Sequence, residues 1–509
     1  TSIFSFINLR FDDIIKSQID KRKYRGLLLK NRLKVLLISD PVTQKAAASM
    51  SLNIGFMSDP KEIPGLAHFC EHMLFLGTEK YPEESEYEKY LNDHGGACNA
   101  STSMEFTAYY FDVAAEHLKG ALDRFSQFFI APLFTESATD RELKAVHSEY
   151  EKNVLADAWR MIQLERSTAR PDHPFNTFGT GNLETLETNP KKMGLNVRQA
   201  LLDFHTKYYS ANLMTLAVIG KESLDELENM VVPMFCSIEN KGIEIPLWDE
   251  KPYGDEHLKV RLNVVSVKDL RRFHIVFPIP DYQPHYKTNP GHYYGNLIGH
   301  EGPGSLLSLL KFEKGWVNSL AGGVKEQVNG FGLFIIDFDM TEEGMKHIDE
   351  IIGFAFQYIE MLRREGPKQW IFDELKTLKK IHFDYRDKEK PFLYSGTLST
   401  SLHLYPFSEV VCGNYFLHDY DEPLLKSVLD YLVPENMRVL VLSKCNEGKT
   451  DLVEPWYGTH YSIEKLEDSF IKSLKALEPN PALKLPAPNE FMPENLKLMT
   501  LNKEIKYPI

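Results

Sequence analysis

Cysteine is scarce and unpaired in this sequence. Five residues (Cys70, Cys98, Cys236, Cys412 and Cys445) are scattered over 509, with no CxxC spacing among them. An odd, dispersed set excludes a disulfide framework and a cysteine zinc site, and points to a reducing, cytoplasmic compartment. Long apolar runs are missing too: none approaches the ~18 residues of a membrane span, so no membrane partner is expected. Basic charge is in deficit, with 58 Lys and Arg against 72 Asp and Glu and a formal net charge of −14. Nucleic-acid binding normally needs a basic face, so that class is excluded as well. The opening "TSIFSFINLRFDD" has neither a methionine nor a charged-then-apolar signal pattern. Residue 1 therefore reads as a processing boundary, which leaves room for a lost upstream targeting segment.

What is present describes a large globular protein. The sequence is 43% hydrophobic and 12% aromatic, and its length calls for two domains or more. "GLLLKNRLKVLLISD" holds two apolar runs around Lys30-Asn31-Arg32, a hairpin signal, and "KAAASMSLNIGF" reads as a third strand. Residues 66–76 predict a helix, because His68, Glu71, His72 and Phe75 recur at helical spacing. "TAYYFDV" predicts a strand, and "AAEHLKGALDRFSQFF" a helix with Leu118, Leu122, Phe125 and Phe129 on one face. "TDRELKAVHSEYEKNVL" predicts another helix, capped by Thr139 or Asp140.

The same order returns later in the chain. "GSLLSLLKFEKGWVNSLAGG" reads as a helix leading into a glycine-rich turn, like residues 66–98. "GFGLFIIDFDM" then matches "TAYYFDV", "TEEGMKHIDEIIGFAFQYI" matches "AAEHLKGALDRFSQFF", and "PKQWIFDELKTLKKIHFDYRD" stands where "TDRELKAVHSEYEKNVL" stood. The repeat implies two related α+β domains, at 1–245 and 246–475; a chance likeness of coarse patterns is the alternative. From 476 to 509 the prolines of "ALEPNPALKLPAPNEFMP" block helix and central strand alike and mark an extended linker.

The chemistry concentrates in His68-Phe69-Cys70-Glu71-His72. On a helix, positions 68 and 72 lie one above the other, so two imidazoles can converge on one ion. Glu71 borders that face and is placed to act as a base on an ion-activated water. The pattern is the inverted H-x-x-E-H motif; the bland alternative is three polar residues sharing a helix. A catalytic zinc usually takes a third protein ligand. The helix at 139–155 offers Glu142, His147, Glu149 and Glu151, and Glu142 and Glu149 share one face. Spacing alone does not choose among them.

HFCEH, Glu149 within "HSEYEKNV", and the stretches "GLAHFCEHMLFLGTEKYP", "NDHGGACNASTSMEFTAYYFDV", "FGTGNLETL" and "GHEGPGSLLSLLK" together resemble the pitrilysin-type zinc peptidases, from about Arg25 to Pro508. The resemblance implies two homologous domains, each a mainly antiparallel sheet packed with helices, with the metal in the first. It implies one Zn²⁺ held by His68, His72 and Glu149, with Glu71 as general base and Glu142 orienting a ligand histidine. It places Asn99 and Ala100 on a cleft edge strand that pairs with substrate backbone, with Phe75 and Trp159 lining the cleft. In the second domain it places Gly299, Glu301, Leu320, Ala321 and Gly322 on an exosite for a substrate's N-terminus. Asn296 and Val324 depart from that pattern, where a histidine and a glutamine are usual. The second copy has no HxxEH; His292 and His300 stand without a suitably placed glutamate.

The implied activity is hydrolysis of short, flexible peptides of the insulin, glucagon and amyloid-β kind. The match corresponds to an N-terminal half. A C-terminal half would supply an arginine and a tyrosine for the oxyanion, together with the contacts of a homo-oligomer. A peptide-binding scaffold that is catalytically weak without that half is the alternative, and a mitochondrial-type processing peptidase subunit fits less of the chain.

Overall fold

Two seven-stranded sheets organise the chain in the computed structural model, whose described residues are 3–493 and 495–497. The end of the expected linker, 498–509, lies outside the described residues. The first sheet holds β1 (Ile7–Phe11), β2 (Lys23–Leu29), β3 (Lys34–Ser39), β4 (Lys45–Leu52), β5 (Ala97–Thr102), β6 (Thr107–Ala114) and β7 (Met214–Gly220). The second holds β8 (Val260–Val264), β9 (Arg271–Pro280), β10 (Val317–Val328), β11 (Phe331–Met340), β12 (Arg438–Ser443), β13 (Leu452–Val453) and β14 (His460–Lys465).

Read from one edge, the first sheet runs β5-β6-β4-β7-β3-β2-β1 and the second β10-β11-β9-β12-β8-β14-β13. Position by position the two agree, down to a single parallel pairing in each, β3 with β7 and β8 with β12. The repeat is therefore present in the topology. Its last two places are filled differently: β1 and β2 precede the other strands of their sheet, whereas β13 and β14 follow theirs. The fold is α+β with mainly antiparallel sheets.

Two local expectations change. "SLAGG" is no turn: it lies inside β10, the edge strand. Its glycines serve close packing, because a Cβ on Gly322 would sit 2.8 Å from Ile298 Cγ2 on the neighbouring helix. That helix, Pro290–Ile298, lies against β10 much as Leu66–Met73 lies against β5, while "GSLLSLLK" forms a shorter helix in which Leu306–Ser308 runs directly into the π-helical turn Leu309–Glu313. The helix expected at 139–155 spans Glu136–Asn153 and is capped by Thr135, whose hydroxyl accepts the Ala138 N–H at 3.3 Å. Thr139 is already in the first turns, bonding back to the Thr135 carbonyl.

Alternation along the strands gives each sheet two apolar faces. One face of the first sheet, with Leu37, Ala48, Met50, Phe111 and Val218, packs on its own helices. The other, with Leu36, Ile38, Ala47, Ala217 and Ile219, is covered by Tyr394, Leu398 and Leu402 of the helix Pro391–Leu404. The second sheet repeats the arrangement in reverse. Phe273, Ile275, Phe334 and Ile336 face its own helices, while Val276, Leu333, Leu440 and Leu442 join a core containing Met161, Leu164 and Phe175 of the first half. Arg438, fully buried over the Tyr253 ring, donates to Thr168 O and Oγ1 at 3.0 and 2.7 Å. Each half thus covers one face of the other's sheet. Beyond the helix Asp468–Lys475 the chain is extended and pinned by Lys484 N–H to Gly304 O (2.9 Å) and by the buried Leu483. Among the described residues no helix is long and apolar enough to cross a membrane.

Candidate metal centre and its cleft

The motif helix spans Leu66–Met73, one turn shorter than expected. It starts at Gly65, whose φ of +93° is left-handed, and a Cβ there would lie 2.3 Å from Gly181 Cα; only glycine fits. The Asp59 carboxylate accepts the Gly65 and Ala67 N–H groups, both at 2.7 Å, and so holds the helix start. Leu66, Ala67, Phe69, Cys70 and Met73 turn into the core. His68, Glu71 and His72 face a cavity of about 680 Å³.

The helix Glu136–Asn153 brings Glu149 against this face. Ligand atoms of His68, His72 and Glu149 all lie within 4.8 Å of one another, and they are the only such His/Cys/Asp/Glu cluster among the described residues. Glu149 Oε2 is 3.7 Å from His68 Nε2 and 3.4 Å from His72 Nε2. Two metal bonds of ~2.0–2.1 Å at a tetrahedral angle put their donor atoms about 3.4 Å apart, so a zinc-sized ion fits this triangle. Both Nδ1 atoms are engaged on the outside, His68 with Thr180 O at 2.7 Å and His72 with Glu142 Oε2 at 3.2 Å. That leaves both Nε2 atoms facing the cluster, the arrangement a metal needs.

Glu71 is 6% exposed and accepts the Thr102 hydroxyl at 2.5 Å. Burial pushes its pKa above the ordinary carboxylate range, partly offset by His68, Thr102 and His72. Burial alone would lower His72; its bonds to Glu142 and Glu149 instead raise it to about 9. Its bond to His72 holds Glu149 below the usual carboxylate range.

One wall of the cavity is β5, an edge strand with Ala97, Asn99 and Ser101 exposed. The Ala100 N–H is met only by the side chain of its own neighbour, Asn99 Oδ1 at 2.9 Å. Phe75 lines the cavity and also packs on Tyr87, Tyr109 and Phe128. Trp159, 40% exposed, lines it beside Ile162 and Arg166 on the helix Asp157–Ser167. His147 stays outside the metal cluster, stacked on Tyr150. The supports Asp59, Thr102 and Thr180 were not anticipated. Single polar residues distant in sequence carry no periodic signal, although Thr180 lies within "FGTGNLETL".

A second cavity of about 600 Å³ lies along β10, the matching edge of the second sheet. Gly299, Leu320, Ala321, Gly322, Asn296, Val324 and His292 line it, as do Tyr286, Gln327 and Tyr405. Glu301 is exposed and does not line it, because the chain turns outward after the helix Pro290–Ile298.

A duplicated α+β sheet with an inverted HxxEH cluster on its first copy defines the class. Three family profiles fall in tandem on the sequence. "Insulinase (Peptidase family M16)" matches residues 34–172, "Peptidase M16 inactive domain" 196–379, and "Middle or third domain of peptidase_M16" 383–509. The chain belongs to peptidase family M16. It is 55% identical over 491 residues to an insulin-degrading enzyme of Bos taurus, covering 96% of this chain and 48% of that protein. It is 45% identical to the A-factor-processing enzyme of Saccharomyces cerevisiae, covering 98% and 48%. Among solved structures, pitrilysin superposes with a TM-score of 0.92 at 29% identity, over 97% of this chain and 52% of that one. The chain spans about half the length of the curated relatives it matches.

Proposed function

We propose that the chain is the catalytic half of a zinc-dependent endopeptidase acting in the cytoplasm on short, flexible peptides, with insulin, glucagon and amyloid-β as the substrate type. The observation that carries this reading is the convergence of His68 Nε2, His72 Nε2 and Glu149 Oε2 beside a buried Glu71, in a cleft walled by an open strand edge. The relatives named for degrading insulin and for processing A-factor support the substrate class. We take 1–245 as the metal-binding domain and 246–475 as the homologous domain whose edge cavity anchors a substrate's N-terminus.

A zinc ion held by these three residues supplies Lewis acidity, polarising a carbonyl and acidifying water. A peptide adds to β5 through its backbone, which makes recognition tolerant of sequence. Glu71 takes the proton of the attacking water and returns it to the leaving amide nitrogen. Thr102 holds Glu71 in place, and Thr180 and Glu142 fix the tautomers of His68 and His72.

Glu71→Gln tests the assignment. Cleavage should fall by about 10²–10⁴-fold while one zinc per chain is retained; undiminished activity in the metal-loaded variant refutes the mechanism. The half-length coverage of the relatives favours a second reading, a peptide-binding half that needs a C-terminal partner for turnover. A fluorogenic peptide assay of the chain alone and with that half added in trans separates the two.

A further inference from the structure

The turn between β13 and β14, residues 454–459, belongs to the second half yet reaches the supports of the metal cluster in the first. It is firmly built. Glu454 is 0% exposed, and its carboxylate accepts the Trp456 and Tyr457 N–H groups at 3.1 and 2.7 Å and the Ser167 hydroxyl at 2.9 Å. Arg160 donates to Tyr457 O at 2.6 Å and to Gly458 O at 3.2 Å. These bonds tie the turn to the helix Asp157–Ser167.

Two arms leave this anchor. The Trp456 carbonyl accepts the hydroxyl of Tyr150, the residue next to Glu149. Its indole lies parallel to Phe178 at 4.7 Å and 5°. The Tyr457 hydroxyl bonds the Thr180 hydroxyl at 3.3 Å, and Thr180 O holds His68 Nδ1 at 2.7 Å. Tyr150 and Phe178 also pack against the Tyr457 ring. One turn thus touches the neighbour of one ligand and the support of another, although it contacts neither ligand itself.

We propose that residues 454–459 are a positioning element of the metal centre: Trp456 and Tyr457 fix the Glu149 helix and the His68 support relative to each other. The inference rests on the ligand assignment made above. It gives the metal-free half a role in metal binding, since the spacing of the donor triangle depends on contacts made across the two halves. Partners that orient ligands typically contribute 10–100-fold to metal affinity; one step further out, about 3–10-fold is expected.

The test uses the full 509-residue chain as wild type, Tyr150→Phe, Tyr457→Phe and the double variant. Each substitution removes one hydroxyl and keeps the ring packing. Zinc affinity is read by chelator competition, coordination by the visible spectrum of the cobalt-substituted protein, and fold by melting of the metal-free chain. The expected result is zinc binding weakened about 3–10-fold in the double variant, with an altered cobalt spectrum and little change in metal-free melting. Unchanged affinity and spectrum with earlier melting would mean a merely structural turn and overturn the proposal. Should the double variant fail to fold, Tyr457→Phe alone carries the same comparison. Failure of the wild type to bind zinc is a different outcome, which refutes the ligand assignment itself.

Discussion

His403 should make the joint between the two halves sensitive to acid. It sits on the helix Pro391–Leu404, which covers the outer face of the first sheet. Its Nε2 contacts Ser51 O at 3.1 Å and Thr215 Oγ1 at 3.0 Å, and Thr215 donates onward to Ser399 O at 2.6 Å. Burial, with Lys34 adding repulsion, pushes the imidazole pKa down to about 3, against the Ser51 bond that favours its charge. In the unfolded chain it titrates near 6.5. The unfolded state therefore binds more protons between pH 6.5 and 3, so this group's contribution is complete above 6.5 and is lost as pH falls toward 3. Each pH unit in that window costs about 1.4 kcal/mol, or about 2 kcal/mol at pH 5. His205 is depressed to about 3 as well and adds a similar slope. Urea unfolding of wild type and His403→Gln from pH 7.5 to 4 isolates the group, because glutamine keeps a donor for Ser51 O without the titration. The variant's stability should fall less steeply with acid, by about 1.4 kcal/mol per unit. Identical slopes would refute the reasoning.

Three further outcomes follow from the site. Glu142→Gln leaves His72 Nδ1 without its carboxylate partner, and zinc affinity measured by chelator competition should drop about 10-fold or more. Gly65→Ala forces a side chain into a left-handed conformation 2.3 Å from Gly181 Cα, and urea unfolding should report a loss of about 1–3 kcal/mol. Ala100→Pro deletes an edge N–H that makes no bond to β6, so KM should rise for unrelated peptides alike while zinc content stays unchanged.

The motif was readable because its chemistry is local: HFCEH lies on one helix, and helical spacing alone puts its polar side chains together. Glu149 was one of several candidates from spacing, since its partners come from a separate helix. The duplication was legible as an order of elements, and the strand pairings repeat it. What periodicity could not supply was long-range contact. "SLAGG" looked like a turn because glycine usually punctuates, but here it lets a helix approach β10 closely. Thr102, Thr180 and the 454–459 turn act through hydrogen bonds that span 31, 112 and 306 positions of the chain, and no local pattern encodes those. The cap is Thr135, not Thr139 or Asp140, because all three side chains suit a helix start and only the backbone separates them.

The exchange of covering helices has a consequence for synthesis. The last strand of the first sheet, β7, ends at Gly220, but the helix that covers its outer face ends only at Leu404. A ribosome adding roughly 5–20 residues per second needs on the order of ten to forty seconds for that interval. Throughout it, Ile38, Ala47 and Ile219 face water on a nascent chain. That interval calls for a holding chaperone, and stalling translation between residues 220 and 390 should trap the species it would bind.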